Sequence, residues 1–391
     1  MIYRNFICVL MLLSFSIFSA EAKDKYKNID KVVENYGILL SYAESKGQNP
    51  RTLNPDGSML WCGKNFDWTE GFFPGSCWYI YEMTGDAKWK NAAMDFQALN
   101  RKHTGHSNHD LGFIFNCSYG NGYRLTGDKD MLNIMIEAGK TLVDRYNPVV
   151  KCIKSWNTKG GWQAKRGWKF PVIIDNMMNL ELLFVLTEET GDSVYYNVAV
   201  SHANTTMKNH FRDNFSSFHV VDYDPETGAV RSRETAQGFA DESSWARGQA
   251  WALYGYTVCY RFTKDQKYLK QAESVADYIF NFEGMPDDLV PYWDYAVADK
   301  KDSPRDASAA SITASALYEL YVHTGNKKYR KYADKIMKSL SSSKYFADKN
   351  EVYGFLLKHS VGSIPHGAEI DVPLNYADYY YLEAMLRKNK L

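Results

Sequence analysis

This sequence has no excess of positive or negative charge. Its 46 Lys and Arg residues balance 46 Asp and Glu residues, so the formal net charge is zero. Proteins that attract nucleic acid through their overall field carry a clear positive excess. The balance therefore argues against nucleic acid as a partner.

Long apolar runs are also scarce, and the clearest one stands at the amino terminus. Residues 6–18 are apolar but too few to span a bilayer, Arg4 precedes them, and Ala20-Glu21-Ala22 has the small-x-small form of a cleavage site. We expect a signal peptide over residues 1–22, export to a periplasm without membrane attachment, and a mature chain that starts near Lys23.

Cysteine is sparse, with six residues, and Cys8 falls in the predicted signal peptide. The odd number that remains shows no metal-type pairing. A bridge between Cys62 and Cys152 stays open at this point. The other three lie within apolar helical runs and are predicted to be buried thiols: Cys77, Cys117 and Cys259.

A Pro-rich or Ser-rich linker is lacking too, so residues 23–391 are predicted to form one domain. With 45% apolar and 15% aromatic residues, a chain of this length can bury an extensive core. The 29 Tyr and 10 Trp residues suit stacking on sugars, although filling space between helices explains most of them.

A recurring turn divides the chain into helical pairs. Gly in such a turn fits the left-handed end of one helix, and the following Asp or Asn can cap the next. The five copies are Thr84-Gly85-Asp86, Thr126-Gly127-Asp128, Thr190-Gly191-Asp192, Thr263-Lys264-Asp265 and Thr324-Gly325-Asn326.

The helices on the two sides of these turns differ in composition. Those ahead of the turns are rich in small, apolar and aromatic residues and are predicted to be inner helices, at residues 71–83, 111–125, 176–189, 246–262 and 309–323. Those behind carry an apolar stripe between charges and are predicted to be outer helices, including residues 129–143, 194–210, 266–280 and 327–340. With residues 30–43 and 375–387 as a sixth pair, the pattern predicts an all-α fold of six helical hairpins closed into a double-layered ring.

Two aspartates occupy matching positions in this repeat. Asp110 and Asp175 each stand at the start of an inner helix, so a closed ring places both carboxylates at one rim. Asp175 follows two Ile residues and precedes Asn176 and two Met residues, and partial burial there would raise its pKa toward neutrality. Helix capping is the competing explanation for both residues.

A second motif opens the fourth inner helix, where Arg247 lies one turn ahead of Trp251. A guanidinium beside an indole suits an acidic sugar, because the cation binds a carboxylate and the ring covers the pyranose face. A purely structural Arg–Trp stack is the alternative.

Two other patterns resemble metal sites but are better explained as loops. His103, His106 and His109 recur every third residue, yet no Glu stands where a metalloprotease helix requires it. Asp222, Asp224 and Glu226 surround a proline and are typical of a solvated turn. No metal or other cofactor is expected.

Taken together, the motifs resemble the unsaturated glucuronyl hydrolases of glycoside hydrolase family 88. The resemblance runs in order from about residue 35 to residue 387. It is carried by Asp67-Trp68-Thr69-Glu70-Gly71-Phe72, His109-Asp110-Leu111-Gly112-Phe113, Ile174-Asp175-Asn176, Ser217-Phe218-His219, Asp224-Pro225-Glu226-Thr227-Gly228, Gln237-Gly238, residues 245–251, Tyr292-Trp293-Asp294 and residues 378–384.

This resemblance implies an (α/α)6 toroid and release of a 4,5-unsaturated uronic acid from the non-reducing end of oligosaccharides made by polysaccharide lyases. By the same resemblance, Asp175 protonates C4 of the double bond and then helps water attack C5, while Asp110 tunes Asp175 and orients the ring. The residues that would line the sugar pocket are Trp68, Trp156, His219, Gln237, Arg247 and Trp251.

Three rivals remain open from the sequence. An unsaturated rhamnogalacturonyl hydrolase would use the same chemistry on pectin fragments, a conventional inverting hydrolase would cleave saturated chains, and a carbohydrate-binding toroid would have no activity. The last gives no reason for two carboxylates in register. We expect a monomer or a weak homo-oligomer.

Residues 358–367 depart from the family pattern and are predicted to form part of the rim that faces the next sugar. Lys358, Ser360 and Ser363 are candidates for binding a sulfate, which favours glycosaminoglycan fragments as substrates. An irregular loop with incidental donors is the alternative.

Overall fold

The predicted turns are present and join inner helices to outer ones. The computed structural model describes residues 25–300 and 302–391, so the predicted signal peptide lies outside the described residues. The four turn glycines have left-handed backbones, with φ between 66° and 72°, as a helix end of this kind requires. At the remaining turn Lys264 adopts the same conformation, with φ of 57°.

Thirteen helices of the described chain form the two layers of the ring, and two of them, α4 and α5, share one inner position. The inner layer consists of α2 Phe72–Thr84, α4 Leu111–Phe115 with its continuation α5 Asn121–Thr126, α8 Asn176–Thr190, α10 Ala246–Thr263, α12 Ala307–Thr324 and α14 Asn375–Lys388. The outer layer consists of α1 Ile29–Lys46, α3 Ala87–Ala98, α6 Lys129–Val143, α9 Ser193–Asn209, α11 Gln266–Asn281 and α13 Lys327–Leu340. A short helix, α7 Gly161–Ala164, lies in a loop.

The inner helices approach one another closely and close the ring. A Cβ on Gly112 of α4 would lie 2.4 Å from Cα of Asn179 on α8, and one on Gly255 of α10 would lie 2.5 Å from Cβ of Met177. The ring closes where the hydroxyls of Tyr79 on α2 and Tyr379 on α14 approach to 2.9 Å. The predicted all-α double-layered toroid is therefore confirmed.

One inner helix departs from the uniform helix predicted over residues 111–125. A π turn, Asn116–Gly120, separates α4 from α5. It lies against α2, because a Cβ on Gly75 would lie 2.5 Å from the carbonyl oxygen of Cys117. The wider turn thus coincides with a close approach of the neighbouring helix.

Strands occur in the connections and form small antiparallel sheets. A three-stranded sheet joins β5 Phe170–Ile173, β6 Val220–Tyr223 and β7 Val230–Glu234 in that order. The two-stranded pairs are β1 Pro50–Leu53 with β2 Met59–Trp61, β3 Tyr146–Asn147 with β4 Cys152–Ile153, and β8 Ser360–Ser363 with β9 Ala368–Val372. Within the described residues, no helix has the length and apolarity needed to cross a membrane.

All five cysteines in the described residues are buried free thiols. The prediction of burial for Cys77, Cys117 and Cys259 is confirmed. The bridge between Cys62 and Cys152 does not form, and the Cys62 thiol instead lies 3.4 Å from the Thr69 hydroxyl.

A cavity of about 930 Å³ opens among the carboxyl-terminal halves of the inner helices, at the end of the ring opposite Asp110 and Asp175. Its charges already pair with one another. Arg261 binds Glu181 and Glu319, and Arg387 lies 3.0 Å from Glu319 and 3.3 Å from Glu383. These ion pairs tie four inner helices together, which gives the cluster a structural role.

The turn aspartates contribute measurable stability. Asp128 accepts a hydrogen bond from the backbone N–H of Asp130, at 2.9 Å, and so caps α6. We expect Asp128→Ala to destabilise the fold by about 1 kcal/mol, because one helix-end N–H loses its partner. Thermal denaturation should show a Tm lower by about 2 °C or less, with activity unchanged. Asp128→Asn, which can still cap, should restore the Tm.

Candidate active site

The three-stranded sheet places Asp175 opposite His219. Strand β5 ends at Ile173, and its partner in β6 is Val220. The next residue, Ile174, donates a backbone hydrogen bond of 3.0 Å to the carbonyl of His219. Asp175 therefore enters α8 from a strand whose neighbour carries the histidine, and Nε2 of His219 lies 3.7 Å from Oδ2 of Asp175.

Asp110 reaches the same rim from the preceding inner helix. The side chain of Asn108 accepts a 2.8 Å hydrogen bond from the backbone N–H of Asp110 and shapes the turn into α4. The contact between Gly112 and Asn179 then draws α4 against α8. The predicted placement of both aspartates at one rim is confirmed.

Capping, the competing explanation for these two aspartates, is wrong. Neither Asp110 nor Asp175 makes a side-chain hydrogen bond to the helix that follows it. By contrast, the aspartate of each Thr-Gly-Asp turn caps its helix, as Asp192 does by accepting from Val194 at 2.9 Å. The two rim carboxyls are thus free for another role.

Burial makes both rim carboxyls weak acids. Asp175 is 7% exposed and Asp110 is 8% exposed. Loss of solvent raises the pKa of Asp175 to about 7, against the opposing influence of the positive charge of Arg247. Burial, reinforced by the nearby Asp175 carboxylate, raises the pKa of Asp110 to about 8. Near neutral pH the pair therefore retains a proton, and its titration is shared.

Each carboxyl is faced by a neutral imidazole. Burial lowers the pKa of His219 and of His109 well below the usual value. Nδ1 of His219 accepts backbone hydrogen bonds from Ala236 at 3.0 Å and from Gln237 at 3.2 Å, which leaves the proton on Nε2, toward Asp175. Nε2 of His109 lies 3.4 Å from Oδ2 of Asp110.

Unpaired polar atoms collect around these groups. Oδ2 of Asp175, Nε2 of His219 and Nε2 of His109 are buried and have no hydrogen-bond partner among the described residues, and the same holds for the indole N–H of Trp251. Buried polar groups in folded proteins are normally satisfied. Such a concentration of free donors and acceptors is what a polar ligand would complete.

Aromatic rings form a wall beside the carboxyls. Trp68 and Trp251 both contact Phe113, with ring centroids 5.5 Å and 5.1 Å away. On the other side, Trp156 stands edge to face with His219 at 5.8 Å. The structure thus brings Trp68, Trp156 and Trp251 to the rim that holds the carboxyls.

Arg247 lies close to Asp175 but has a different ring partner from the one predicted. Its guanidinium lies 4.4 Å above the ring of Trp245, not against Trp251. The side chain is only 1% exposed, and Nη2 donates to the carbonyl of Gly362 at 2.7 Å while Nη1 donates to that of Val361. Arg247 therefore binds the backbone of β8 through Nη1 and Nη2. Of its three guanidinium nitrogens, only Nε has no hydrogen-bond partner in the described chain.

Gln237 connects the histidine to the same strand. Its backbone N–H donates to Nδ1 of His219, and its side-chain Nε2 donates to the carbonyl of Gly362 at 3.4 Å. Gln237 thereby lies in the site, between His219 and β8.

The predicted sulfate-binding cluster does not assemble. The ammonium of Lys358 donates to both carboxylate oxygens of Glu351, at 2.9 Å and 3.1 Å, and is already neutralised. Ser360 is 0% exposed on β8. Ser363 is buried, and its hydroxyl lies 2.7 Å from Nδ1 of His366. Lys358 thus lies in the loop before β8 with its charge paired, whereas Ser360 and Ser363 are buried in β8. The three residues do not present a joint anion site.

The histidine and acidic patterns are also accounted for. His103 pairs with Glu70 at 2.5 Å and His106 stacks on Phe66 at 4.1 Å, so both rings already have partners within the loop region. Asp224 accepts hydrogen bonds from the backbone of Glu226 and Thr227, as in a turn. Within the described chain, no group of His, Cys, Asp and Glu residues is arranged to hold a metal ion.

Sequence reasoning missed two contributors to this site. Nδ2 of Asn179 lies 3.5 Å from Nδ1 of His109, and Oδ1 of Asn179 accepts a 2.8 Å bond from the backbone of Phe113. Asp306 lies 3.4 Å from the guanidinium of Arg247. The position of His109 beside Asp110 was a usable signal, whereas nothing in the sequence linked Asp306 to Arg247.

Known proteins resemble this chain over nearly its whole length. The sequence model of Glycosyl Hydrolase Family 88 matches residues 50–386. An unsaturated glucuronyl hydrolase of Formosa agariphila is 43% identical over 403 residues, which covers 99% of both chains. An unsaturated chondroitin disaccharide hydrolase of Streptococcus pneumoniae is 34% identical over 92% of this chain and 90% of its own.

Solved structures agree with the sequence comparison. The crystal structure of an unsaturated glucuronyl hydrolase specific for heparin superposes with a TM-score of 0.87 at 46% identity, and the match covers 93% of this chain and 96% of that one.

Proposed function

The chain belongs to glycosyl hydrolase family 88, and we propose that it releases 4,5-unsaturated uronic acid from the non-reducing end of glycosaminoglycan fragments produced by lyases. The observation that carries this proposal is the buried pair Asp110 and Asp175, which binds a proton near neutral pH and caps no helix. A poised acid is what hydration of an enol ether needs.

Asp175 supplies the proton in this mechanism. Its carboxyl donates to C4 of the C4=C5 bond, the electron pair of that bond forms the new C–H bond, and positive charge develops on C5 and the ring oxygen. The carboxylate left behind takes a proton from water as the water oxygen bonds to C5, which regenerates the acid. The resulting hemiketal opens and releases the remaining sugar.

The neighbouring groups have supporting roles. Asp110 holds negative charge or a shared proton beside Asp175, and this raises the proton affinity of the pair. His219 presents an N–H donor on the other side of Asp175, in a tautomer fixed by two backbone N–H groups. Trp68, Trp156 and Trp251 offer faces and edges for the sugar ring.

The test is turnover of an unsaturated chondroitin- or heparin-derived disaccharide, followed by loss of the ultraviolet absorbance of the unsaturated uronate. The saturated disaccharide serves as the control, because it lacks the double bond. Turnover of a rhamnogalacturonan-derived disaccharide in preference to the chondroitin- and heparin-derived ones would favour the pectin-directed rival. Absence of any turnover would leave a carbohydrate-binding role and overturn the proposal.

Deuterium labelling separates hydration from ordinary glycoside cleavage. In heavy water, protonation by Asp175 places deuterium on C4 of the released sugar. Displacement at the anomeric carbon leaves C4 unlabelled at the moment of release. Early time points matter, because the ketone that follows ring opening exchanges its neighbouring hydrogens.

Export is a separate proposal that rests on the sequence of residues 1–22. We expect the chain isolated from its natural source to start near Lys23 and to reside in a periplasm, where small oligosaccharides from secreted lyases would reach it. Amino-terminal sequencing of the fractionated protein checks both points.

A further inference from the structure

The connection that leads into Asp175 has an unusual charge. Between Asp144 and Asp175 the chain contains seven Lys and Arg residues and no Asp or Glu, although the whole protein is balanced. Three tryptophans, Trp156, Trp162 and Trp168, are interspersed with these charges. We refer to residues 154–169 as the basic segment.

Most of the positive charges in the basic segment are already engaged. Lys169 pairs with Asp224 at 2.9 Å, and Arg166 lies 3.5 Å from Glu234 and stacks over Trp168. Lys154 donates to the carbonyl of Lys169 at 2.8 Å. The charges left over are those of two exposed lysines, Lys159 and Lys165, which have no ion-pair partner among the described residues.

The two free lysines stand in the sequence on either side of Trp162, the outermost ring of an aromatic path that begins at the active site. His219 contacts Asp175, Trp156 meets His219 at 5.8 Å, and Trp162 meets Trp156 at 5.0 Å. Exposure rises along this path, from 7% at Asp175 to 37% at Trp162. Lys159 and Lys165 are each three residues from Trp162 in the sequence, on opposite sides of it.

The wall facing Trp162 is the β8–β9 hairpin. The ring of His366 lies 4.9 Å from that of Trp162. Trp162 and His366 thus contact each other at the outer end of the aromatic path, and both side chains are exposed there. A sugar that follows the unsaturated uronate could stack on this exposed pair.

The positive charges of the basic segment act on one another and on its neighbours, because the segment contains no Asp or Glu. Burial lowers the pKa of Lys154, the charges of Arg145 and Lys159 lower it further, and Asp222 opposes them. Burial and the charge of Arg166 likewise lower the pKa of His366. An anion bound beside Lys159 would relieve its repulsion of Lys154.

We propose that Lys159 and Lys165 bind the sulfate or carboxylate groups of the sugars that follow the unsaturated uronate, with Trp162 stacking on one of these sugars. The inference rests on the proposed function and adds a substrate class to it: oligosaccharides that carry anionic groups beyond the scissile end. It also moves the anion site from Lys358, which Glu351 neutralises, to the basic segment.

The experiment compares the wild type with Lys159→Glu/Lys165→Glu on three unsaturated substrates. They are a disaccharide with an uncharged N-acetylhexosamine, the same disaccharide with a sulfate, and an unsulfated tetrasaccharide whose next uronate carries a carboxylate. We expect kcat/KM to fall roughly three- to tenfold on the sulfated or the longer substrate and to change little on the uncharged one. The loss should appear in KM, because these contacts are the same in the ground state and the transition state.

A matched variant controls for net charge. Lys270→Glu/Lys335→Glu makes the same change on exposed positions of the outer helices α11 and α13. It should leave all three values of kcat/KM as in the wild type. For the wild type alone, added salt should weaken the advantage of the anionic substrates.

The outcomes separate the two proposals. A selective loss on the sulfated disaccharide assigns sulfate to the lysines, and a selective loss on the tetrasaccharide assigns carboxylate. An equal loss on all three substrates, or none, overturns the anion site while leaving the hydrolase intact. If the wild type hydrolyses no unsaturated substrate, the proposed function itself fails.

Discussion

Asp175→Asn should lower kcat on an unsaturated disaccharide by about a thousandfold or more, because an amide cannot give its proton to carbon. The substitution keeps the shape of the side chain and removes no helix cap, since Asp175 makes no capping bond. The assay is loss of the ultraviolet absorbance of the unsaturated uronate. Wild-type rates in this variant would assign proton delivery to a different group.

Asp192→Asn is the matched control for that variant. Asp192 also precedes a helix, but it lies at the opposite end of the ring and caps α9 through the N–H of Val194. Asn can take over the cap, so both stability and activity should stay near the wild type. The same chemical change should therefore remove most of the activity at one end of the toroid and leave it unchanged at the other.

The helical scaffold was accessible from the sequence because its signals are local. Gly191 ends one helix with a left-handed residue and Asp192 caps the next, and both requirements act within four residues. Repetition of that turn separated inner from outer helices. The π turn after α4 was not accessible, because no local pattern marks it and its contact with Gly75 comes from another helix.

The site was predictable only where local signals coincided with the ring. The placement of Asp110 and Asp175 at one rim followed from their register in the repeat. The pairing of His219 with Asp175 follows instead from the register of β5 and β6, two strands separated by a helical hairpin. The partner of Lys358 could not be predicted from the sequence either. Glu351 lies on the same loop, but its contact with the Lys358 ammonium depends on how the folded loop is shaped.

The second large effect concerns Asp110. We expect Asp110→Asn to reduce kcat by about a hundredfold, because the unsaturated ring loses an orienting carboxyl beside Asp175. The pKa of Asp110, about 8, lies above that of Asp175, about 7, so Asp110 is uncharged while Asp175 loses its proton. The alkaline decline of the rate should therefore begin at nearly the same pH in the variant as in the wild type. In the wild type the decline should lie near pH 7 to 8, where the paired carboxyls lose their protons. A decline that moves to lower pH in the variant would contradict this order of titration and show that Asp110 carries its charge beside Asp175.

Stability gives a readout of the same coupling that does not depend on activity. The pKa of Asp110 is about 8 in the folded protein and about 4 in an unfolded chain, so the wild type loses stability as the pH rises between these values. Asn does not titrate and avoids that loss. The Tm of Asp110→Asn relative to the wild type should therefore increase from pH 5 to pH 9. A constant difference across this range would mean that Asp110 is ionised in the folded protein, and the shared proton would then have to be assigned to Asp175 alone.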